Sequence, residues 1–96
     1  YKIAINDYTK AIDFDPKYTD AYYNRGLAKH NQKDYMGALG DYIKAINLDP
    51  EDYIYYEFRA ASKLEIGDMD GKCSDWKQAA LLGPKKLKRS IKYWCD

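Results

Sequence analysis

The chain has 96 residues, of which 32% are charged, and its formal net charge at pH 7 is +1. This length suits one small domain with a continuous core, and the sequence contains no run of about eighteen apolar residues that would span a membrane. The first residue lies inside an amphipathic pattern and is not Met, so we interpret the sequence as a fragment. The sequence leaves the location of the protein in the cell unknown, with the cytoplasm as the default.

The chain is predicted to consist of helices joined by short turns. Apolar residues recur at the three- and four-residue spacing of one helical face. In chain order, the predicted helices cover residues 1–14, 19–32, 35–48, 53–66 and 69–82. The first and third end at an Asp-Pro pair, because proline disfavours a helical conformation in the residue before it. Asp52 is the predicted N-cap of the fourth helix, and Thr19 or Asp20 that of the second.

The segment after Pro84 forms a sixth predicted helix, over residues 85–96. One stripe of this helix is apolar and the rest is mainly basic, as the cap of a helical array requires. Its five basic groups and one aspartate give a net charge of +4, which leaves the chain up to Pro84 at 1 − 4 = −3. We interpret the segment as a cap, with nucleic-acid binding through its basic groups as the alternative.

One stretch of sequence occurs twice. Residues 1–16 read YKIAINDYTKAIDFDP and residues 35–50 read YMGALGDYIKAINLDP, so that Tyr8 of the first copy corresponds to Tyr42 of the second. A fainter third copy ends at Pro84, at the same offset again. A fixed period of this length indicates stacked structural repeats.

The pattern within each period resembles the tetratricopeptide repeat, a helix-turn-helix unit of about 34 residues. The residues that match the pattern in one unit are Tyr22, Gly26, Tyr35, Ala38, Tyr42, Ala45 and Pro50, and the same positions of the next unit hold Tyr56, Ala60, Met69, Lys72, Trp76, Ala79 and Pro84. The resemblance implies an all-α fold, an α/α superhelix in which antiparallel helix pairs form a right-handed solenoid. It divides this single domain into the second helix of a truncated repeat (1–16), two full repeats (17–50 and 51–84) and a capping helix (85–96).

Small residues at two of these positions explain how the helices of a pair meet. Gly26 or Ala60 allows a close approach, Ala38 offers a flat opposing surface, and Tyr42 or Trp76 fills the space beside them.

Several positions depart from the family pattern by carrying a charge. Arg25 and Arg59 replace the usual Leu, Lys29 and Lys63 replace the usual aromatic residue, and Lys72 stands where a small residue is expected. The arginines recur with aspartates of the second helices, which are Asp7, Asp41 and Asp75. We predict a ladder of Arg-to-carboxylate pairs between helices, and the alternative is two solvated surface arginines.

The resemblance implies that the first helix of each repeat lines a concave groove that binds a peptide or helix of a partner protein. By register, the groove residues are Asp20, Tyr23, Asn24, Leu27, His30, Asn31, Ile54, Glu57, Phe58, Ala61, Leu64 and Glu65. Asn24 matches the asparagine that clamps a bound peptide backbone. No Lys or Arg falls on the groove, so we predict that it lacks a carboxylate clamp and suits an amphipathic helix or a basic segment.

The sequence predicts a protein-protein interaction scaffold that is not an enzyme. It contains no paired nucleophile and base, no metal-ligand set and no phosphate loop, so no catalytic residue, metal, cofactor or small-molecule substrate is predicted. Asp68, Asp70 and Gly71 resemble part of a calcium loop but are interpreted as a helix start. The alternatives are a noncatalytic array within a larger enzyme and a nucleic-acid adaptor that uses the basic C-terminal helix.

Two further expectations concern the ends of the chain. The apolar face of the first helix, with Tyr1, Ala4, Tyr8 and Ala11, predicts either more chain upstream or self-association. Cys73 and Cys95 are expected to be reduced thiols by default; the alternative is a contact between them, because Cys95 lies on the apolar stripe of the predicted closing helix.

Overall fold

The structure is a computed structural model that describes residues 2–84 and residue 95. It contains five helices in this part of the chain: α1 (Lys2–Phe14), α2 (Thr19–Asn31), α3 (Tyr35–Leu48), α4 (Tyr53–Glu65) and α5 (Met69–Leu82). Each predicted boundary lies within one residue of the observed one, and no strand occurs among the described residues. The prediction of an all-α, helical-repeat fold is confirmed. The predicted closing helix lies outside the described residues, except that Cys95 is helical.

None of the described helices is both long enough and apolar enough to cross a lipid bilayer.

A tyrosine hydroxyl of the following helix forms a hydrogen bond with the proline of each Asp-Pro pair. The Tyr22 hydroxyl donates a hydrogen bond to the carbonyl oxygen of Pro16 at 3.2 Å, and the Tyr56 hydroxyl donates to that of Pro50 at 3.0 Å. The same contact therefore sets the turn before α2 and the turn before α4.

Aspartates cap three of the helices at their N-termini. The side chain of Asp34 accepts a hydrogen bond from the backbone N–H of Gly37, and that of Asp68 accepts one from Gly71. Asp52 accepts one from Ile54 at 3.0 Å, which confirms its predicted role. These bonds satisfy N–H groups that have no partner within the helix.

The predicted cap of α2 is wrong. Its N-cap is Tyr18, whose side chain makes no capping hydrogen bond. The Thr19 hydroxyl instead donates to the carbonyl oxygen of Lys17 at 3.4 Å, and Asp20 is already inside the helix. The turn and the Tyr22 contact thus position this helix without a capping side chain.

Successive helices pack against one another in chain order, and α2 also touches α4. Helices α2 and α3 approach each other closely at Gly26, where an added Cβ would lie 2.6 Å from Cε1 of Tyr42. Tyr42, Ala38 and Ala45 have no exposed surface. The predicted packing of a small residue against a large ring is therefore confirmed for this pair.

We predict that Gly26→Ala lowers the free energy of unfolding by about 1–3 kcal/mol, because the Tyr42 ring must shift to make room. The measurement is urea denaturation followed by circular dichroism. Gly40→Ala is the matched control, because Gly40 lies exposed in α3 with nothing within 4 Å of an added Cβ. Gly40→Ala should raise the free energy of unfolding by about 0.5–1 kcal/mol. Equal effects of the two substitutions would contradict the close approach of α2 and α3 at Gly26.

Candidate functional site

The twelve predicted groove residues lie on α2 and α4, and none of them is fully buried. Asp20, Asn31, Leu64 and Glu65 are exposed, and the other eight are partly buried. Asn24 makes no side-chain hydrogen bond to any residue that the structure describes, so its amide can still bind a ligand.

Tyr23 is the centre of an aromatic cluster that joins three helices. Its ring centroid lies 5.3 Å from that of Tyr55 and 5.5 Å from that of Phe58, both on α4, and 6.4 Å from that of Tyr42 on α3. Phe58 also lies 6.4 Å from Tyr42. Tyr23 and Phe58 therefore contribute to packing between the helices as well as to the surface.

His30 makes a second bridge between α2 and α4. Its Nδ1 lies 2.9 Å from the hydroxyl oxygen of Ser62, a residue with no exposed surface, and its ring packs edge-on against Tyr35 at 5.0 Å. The sequence predicted His30 as a groove residue but not its contact with Ser62, because a serine on a helical face does not indicate which residue it contacts.

A cavity of about 210 Å³ lies between α4 and α5. Its walls are formed by Glu57, Ala60, Ala61, Leu64, Lys72 and Trp76. The structure thus brings together three predicted groove residues of α4 with two residues of α5. The α5 residues were predicted as packing positions, and Lys72 forms part of the cavity wall where the family pattern has a small residue.

The predicted pairing of arginine with aspartate occurs in both helix pairs. Arg25 Nε and Nη2 donate to the two carboxylate oxygens of Asp41 at 2.9 and 2.7 Å, and Lys29 Nζ lies 3.1 Å from the same carboxylate. This hydrogen bond to Asp41 is the main reason that the pKa of Arg25 is raised above its usual value. Arg25 also donates to the hydroxyl of Thr9 in α1 at 3.2 Å.

The second pair repeats this arrangement. Arg59 donates to Asp75 at 2.8 and 2.6 Å, and Lys63 Nζ lies 2.9 Å from the same carboxylate. The aspartate side chains are only 6% (Asp41) and 4% (Asp75) exposed. Buried carboxylates of this kind require charged, hydrogen-bonded partners.

One member of the predicted ladder is wrong. Asp7 is exposed and makes no ion pair with any described residue. Each arginine instead pairs with an aspartate on the following helix, at the same sequence separation in both pairs. The sequence also missed Lys29 and Lys63 as second partners of the aspartates, although each lies one helical turn after an arginine and so on the same face.

Acidic groups surround the aromatic cluster. Burial raises the pKa of Tyr55 to about 12, with further contributions from Asp52 and Asp20. Burial likewise raises the pKa of Tyr23, helped by the charges of Asp52 and Glu57. The tyrosine rings at this edge of α2 and α4 therefore have carboxylates nearby.

The expectation of reduced thiols is wrong, because Cys73 on α5 is joined to Cys95 by a disulfide. Within the described part of the chain, no three His, Cys, Asp or Glu side chains are grouped so that they could hold a metal ion.

Two family descriptions match the sequence. "TPR repeat" matches residues 1–33, and "Tetratricopeptide repeat" matches residues 19–52, so that together they cover more than half of the chain. The chain belongs to the tetratricopeptide repeat (TPR) family. TPR proteins are in general noncatalytic, and the TPR repeats of this chain make it a protein-interaction module.

Solved TPR structures share the fold. The first TPR of Spaghetti (RPAP3), bound to the HSP90 peptide SRMEEVD, has a TM-score of 0.83 and 22% identity, with 93% of this chain and 72% of that chain covered. The Arabidopsis OM64 TPR domain has the same TM-score and identity, with 93% and 78% covered. No curated protein matches the sequence.

The buried aspartates make a testable contribution to this TPR fold. We predict that Asp75→Asn lowers the free energy of unfolding by about 2–4 kcal/mol, because Arg59 and Lys63 lose the charge that compensates them. Asp7 is exposed and pairs with no described residue, so Asp7→Asn should change the free energy of unfolding by less than about 0.5 kcal/mol. A loss at Asp75 below about 1 kcal/mol, measured by urea denaturation, would mean that the pair acts like a surface ion pair.

Proposed function

We propose that the face formed by α2 and α4 binds a basic peptide or amphipathic helix of another protein, and that it does so without a carboxylate clamp. The single observation that supports this proposal is that the basic residues of α2 and α4 already form ion pairs within the fold. α2 and α4 contain four Lys and Arg residues, and all four are paired with Asp41 or Asp75. A carboxylate of a ligand would have to displace a buried aspartate to recruit them.

The acidic side chains of this face include Asp20 and Glu65, which are exposed, and Asp52, which is partly buried. Glu57 and Lys72 both line the cavity, and their opposite charges add nothing to the net charge of the face. A ligand with Lys or Arg residues is therefore favoured, both in the rate of encounter and in specificity.

The cavity provides a place for an apolar side chain of that ligand. Ala60, Ala61 and Leu64 contribute apolar surface, and a buried apolar anchor is what concentrates binding energy in such interfaces. Asn24 lies on α2 and its amide bonds to no residue that the structure describes, so it can pair with the backbone of an extended peptide. The peptide bound to the Spaghetti TPR domain supports a peptide as the class of ligand, whereas the charge here favours a more basic sequence.

The test is selection of ligands from a library of random displayed peptides, followed by titration of the enriched peptides. We expect a net positive charge, an aromatic or large aliphatic residue, and equal affinity for the free-acid and C-terminally amidated forms. Affinity should fall as salt concentration rises. Enriched peptides that are acidic and lose binding on amidation would contradict the proposal.

A pair of leucines gives a matched test of the cavity. Leu64 lines it and Leu82 does not, yet both are 37% exposed. Leu64→Lys should weaken binding of an enriched peptide at least about tenfold, because it removes apolar contact and repels a basic ligand. Leu82→Lys should leave the dissociation constant nearly unchanged, and equal loss in both variants would remove the cavity from the binding site.

A further inference from the structure

One side of α1 has the residues of a helix interface but no helix packed on it in the described part of the chain. Residues 1–16 and 35–50 are copies of one sequence, so each residue of α1 has a counterpart in α3. The side of α3 that meets α2 has four buried residues, which are Ala38, Asp41, Tyr42 and Ala45. Their counterparts in α1 form what we call the Asp7 face, which consists of Ala4, Asp7, Tyr8 and Ala11.

The Asp7 face is accessible, although its counterpart on α3 is buried. Among the described helices α1 packs only against α2, and Thr9 and Ile12 make this contact from a different side of α1. Asp7 is exposed, and the other three residues of the face are only partly buried. In α3 the corresponding alanines and tyrosine have no exposed surface, and Asp41 is 4% exposed. The difference is the surface that a packed helix buries.

Two interfaces within the chain show which kind of helix fits such a face. In each, an arginine and a lysine, one helical turn apart, pair with the buried aspartate of the next helix. The guanidinium carbon also lies over the ring of a tyrosine three positions earlier, 5.7 Å from the ring centroid for Arg25 and 5.6 Å for Arg59. The residue after the arginine is small, and Gly26 lies against the Tyr42 ring. Both helices therefore carry the pattern Tyr-x-x-Arg-small-x-x-Lys.

We propose that the Asp7 face binds an amphipathic helix of a partner protein that carries this pattern. The arginine and lysine of the partner helix pair with Asp7, and its small residue lies on the Tyr8 ring. Two independent requirements select the same helix, because an Arg–carboxylate pair is directional and a larger side chain would collide with the ring. The Asp7 face is separate from the face of α2 and α4, so this inference goes beyond the proposed function.

A second folded copy of the chain does not supply this helix. The basic residues of its α2 and α4 are already paired with buried aspartates, and both helices are packed within the fold. A copy would have to open one of its own helix pairs before it could offer the pattern. Charge complementarity to Asp7 therefore favours a helix of another protein, in which the arginine and the lysine are not yet paired.

The test is titration of the chain with a fluorescent synthetic peptide that has the sequence of residues 17–34, which includes the pattern. Fluorescence anisotropy should show saturable binding with a dissociation constant below about 100 μM. Asp7→Asn should weaken this binding at least about tenfold, because the arginine and lysine of the peptide lose their charged partner. The variant should keep its fold, because Asp7 pairs with no described residue.

Asp13→Asn is the matched control for this substitution. Asp13 is likewise an exposed aspartate of α1, but it lies off the Asp7 face. The control should change the dissociation constant by less than about twofold. Equal effects of Asp7→Asn and Asp13→Asn would overturn the proposal, because the peptide would then respond only to the overall charge of α1.

A double-mutant cycle tests the ion pair itself. In the peptide, Arg25→Gln and Lys29→Gln remove both charges of the pattern. This peptide should bind more weakly than the original one, and it should bind the unsubstituted chain and the Asp7→Asn variant equally well. A neutral peptide that still binds the Asp7→Asn variant more weakly would contradict the pairing.

The remaining arms identify the occupant. No saturable binding up to about 1 mM peptide would overturn the proposal. If the peptide binds only when a flexible linker joins it to residue 1, which raises its effective concentration, the face fits a preceding segment of the same chain and not a partner. Self-association of the chain in sedimentation equilibrium that Asp7→Asn abolishes would identify a second copy as the occupant. Leu64→Lys should leave binding of this peptide unchanged, and a loss there would place the peptide on the face of α2 and α4.

Discussion

In each helix pair, one buried aspartate forms ion pairs with an arginine and a lysine of the preceding helix. Removing a carboxylate from water costs several kcal/mol unless charge and hydrogen bonds compensate it. Asp41 and Asp75 meet this requirement with a bidentate guanidinium and one ammonium group each. Because the bidentate geometry is directional, the requirement also fixes how α2 lies against α3 and α4 against α5.

The same interaction shapes the surface. Because the Lys and Arg residues of α2 and α4 are paired inside the fold, carboxylates predominate on the face beside Tyr23 and Tyr55. The rings of this face are themselves packed between helices, so its shape is set by the core. Stability and the ligand preference that we propose for this TPR chain thus have one physical origin.

Much of the fold could be predicted from the sequence, because the repeat period, the Asp-Pro pairs and the aspartate caps are local signals. Contacts across helices were harder to predict. The recurrence of Arg25 and Arg59 revealed the ion pairs, but nothing local excluded Asp7. The Ser62 partner of His30, the cavity and the disulfide depend on helix placement in three dimensions. The groove residues were predicted from their register in the repeat. Register alone does not show which of them also pack between helices, as Tyr23 does.

The proposed function depends most directly on the pairing of every basic side chain of α2 and α4 with a buried aspartate, which leaves none of them for a ligand carboxylate. Titration with the peptide SRMEEVD, which is bound to the Spaghetti TPR domain, tests this claim, because that peptide is acidic. Isothermal calorimetry should show no saturable binding up to about 1 mM peptide. Micromolar binding that is lost when the peptide's C-terminus is amidated would contradict the account.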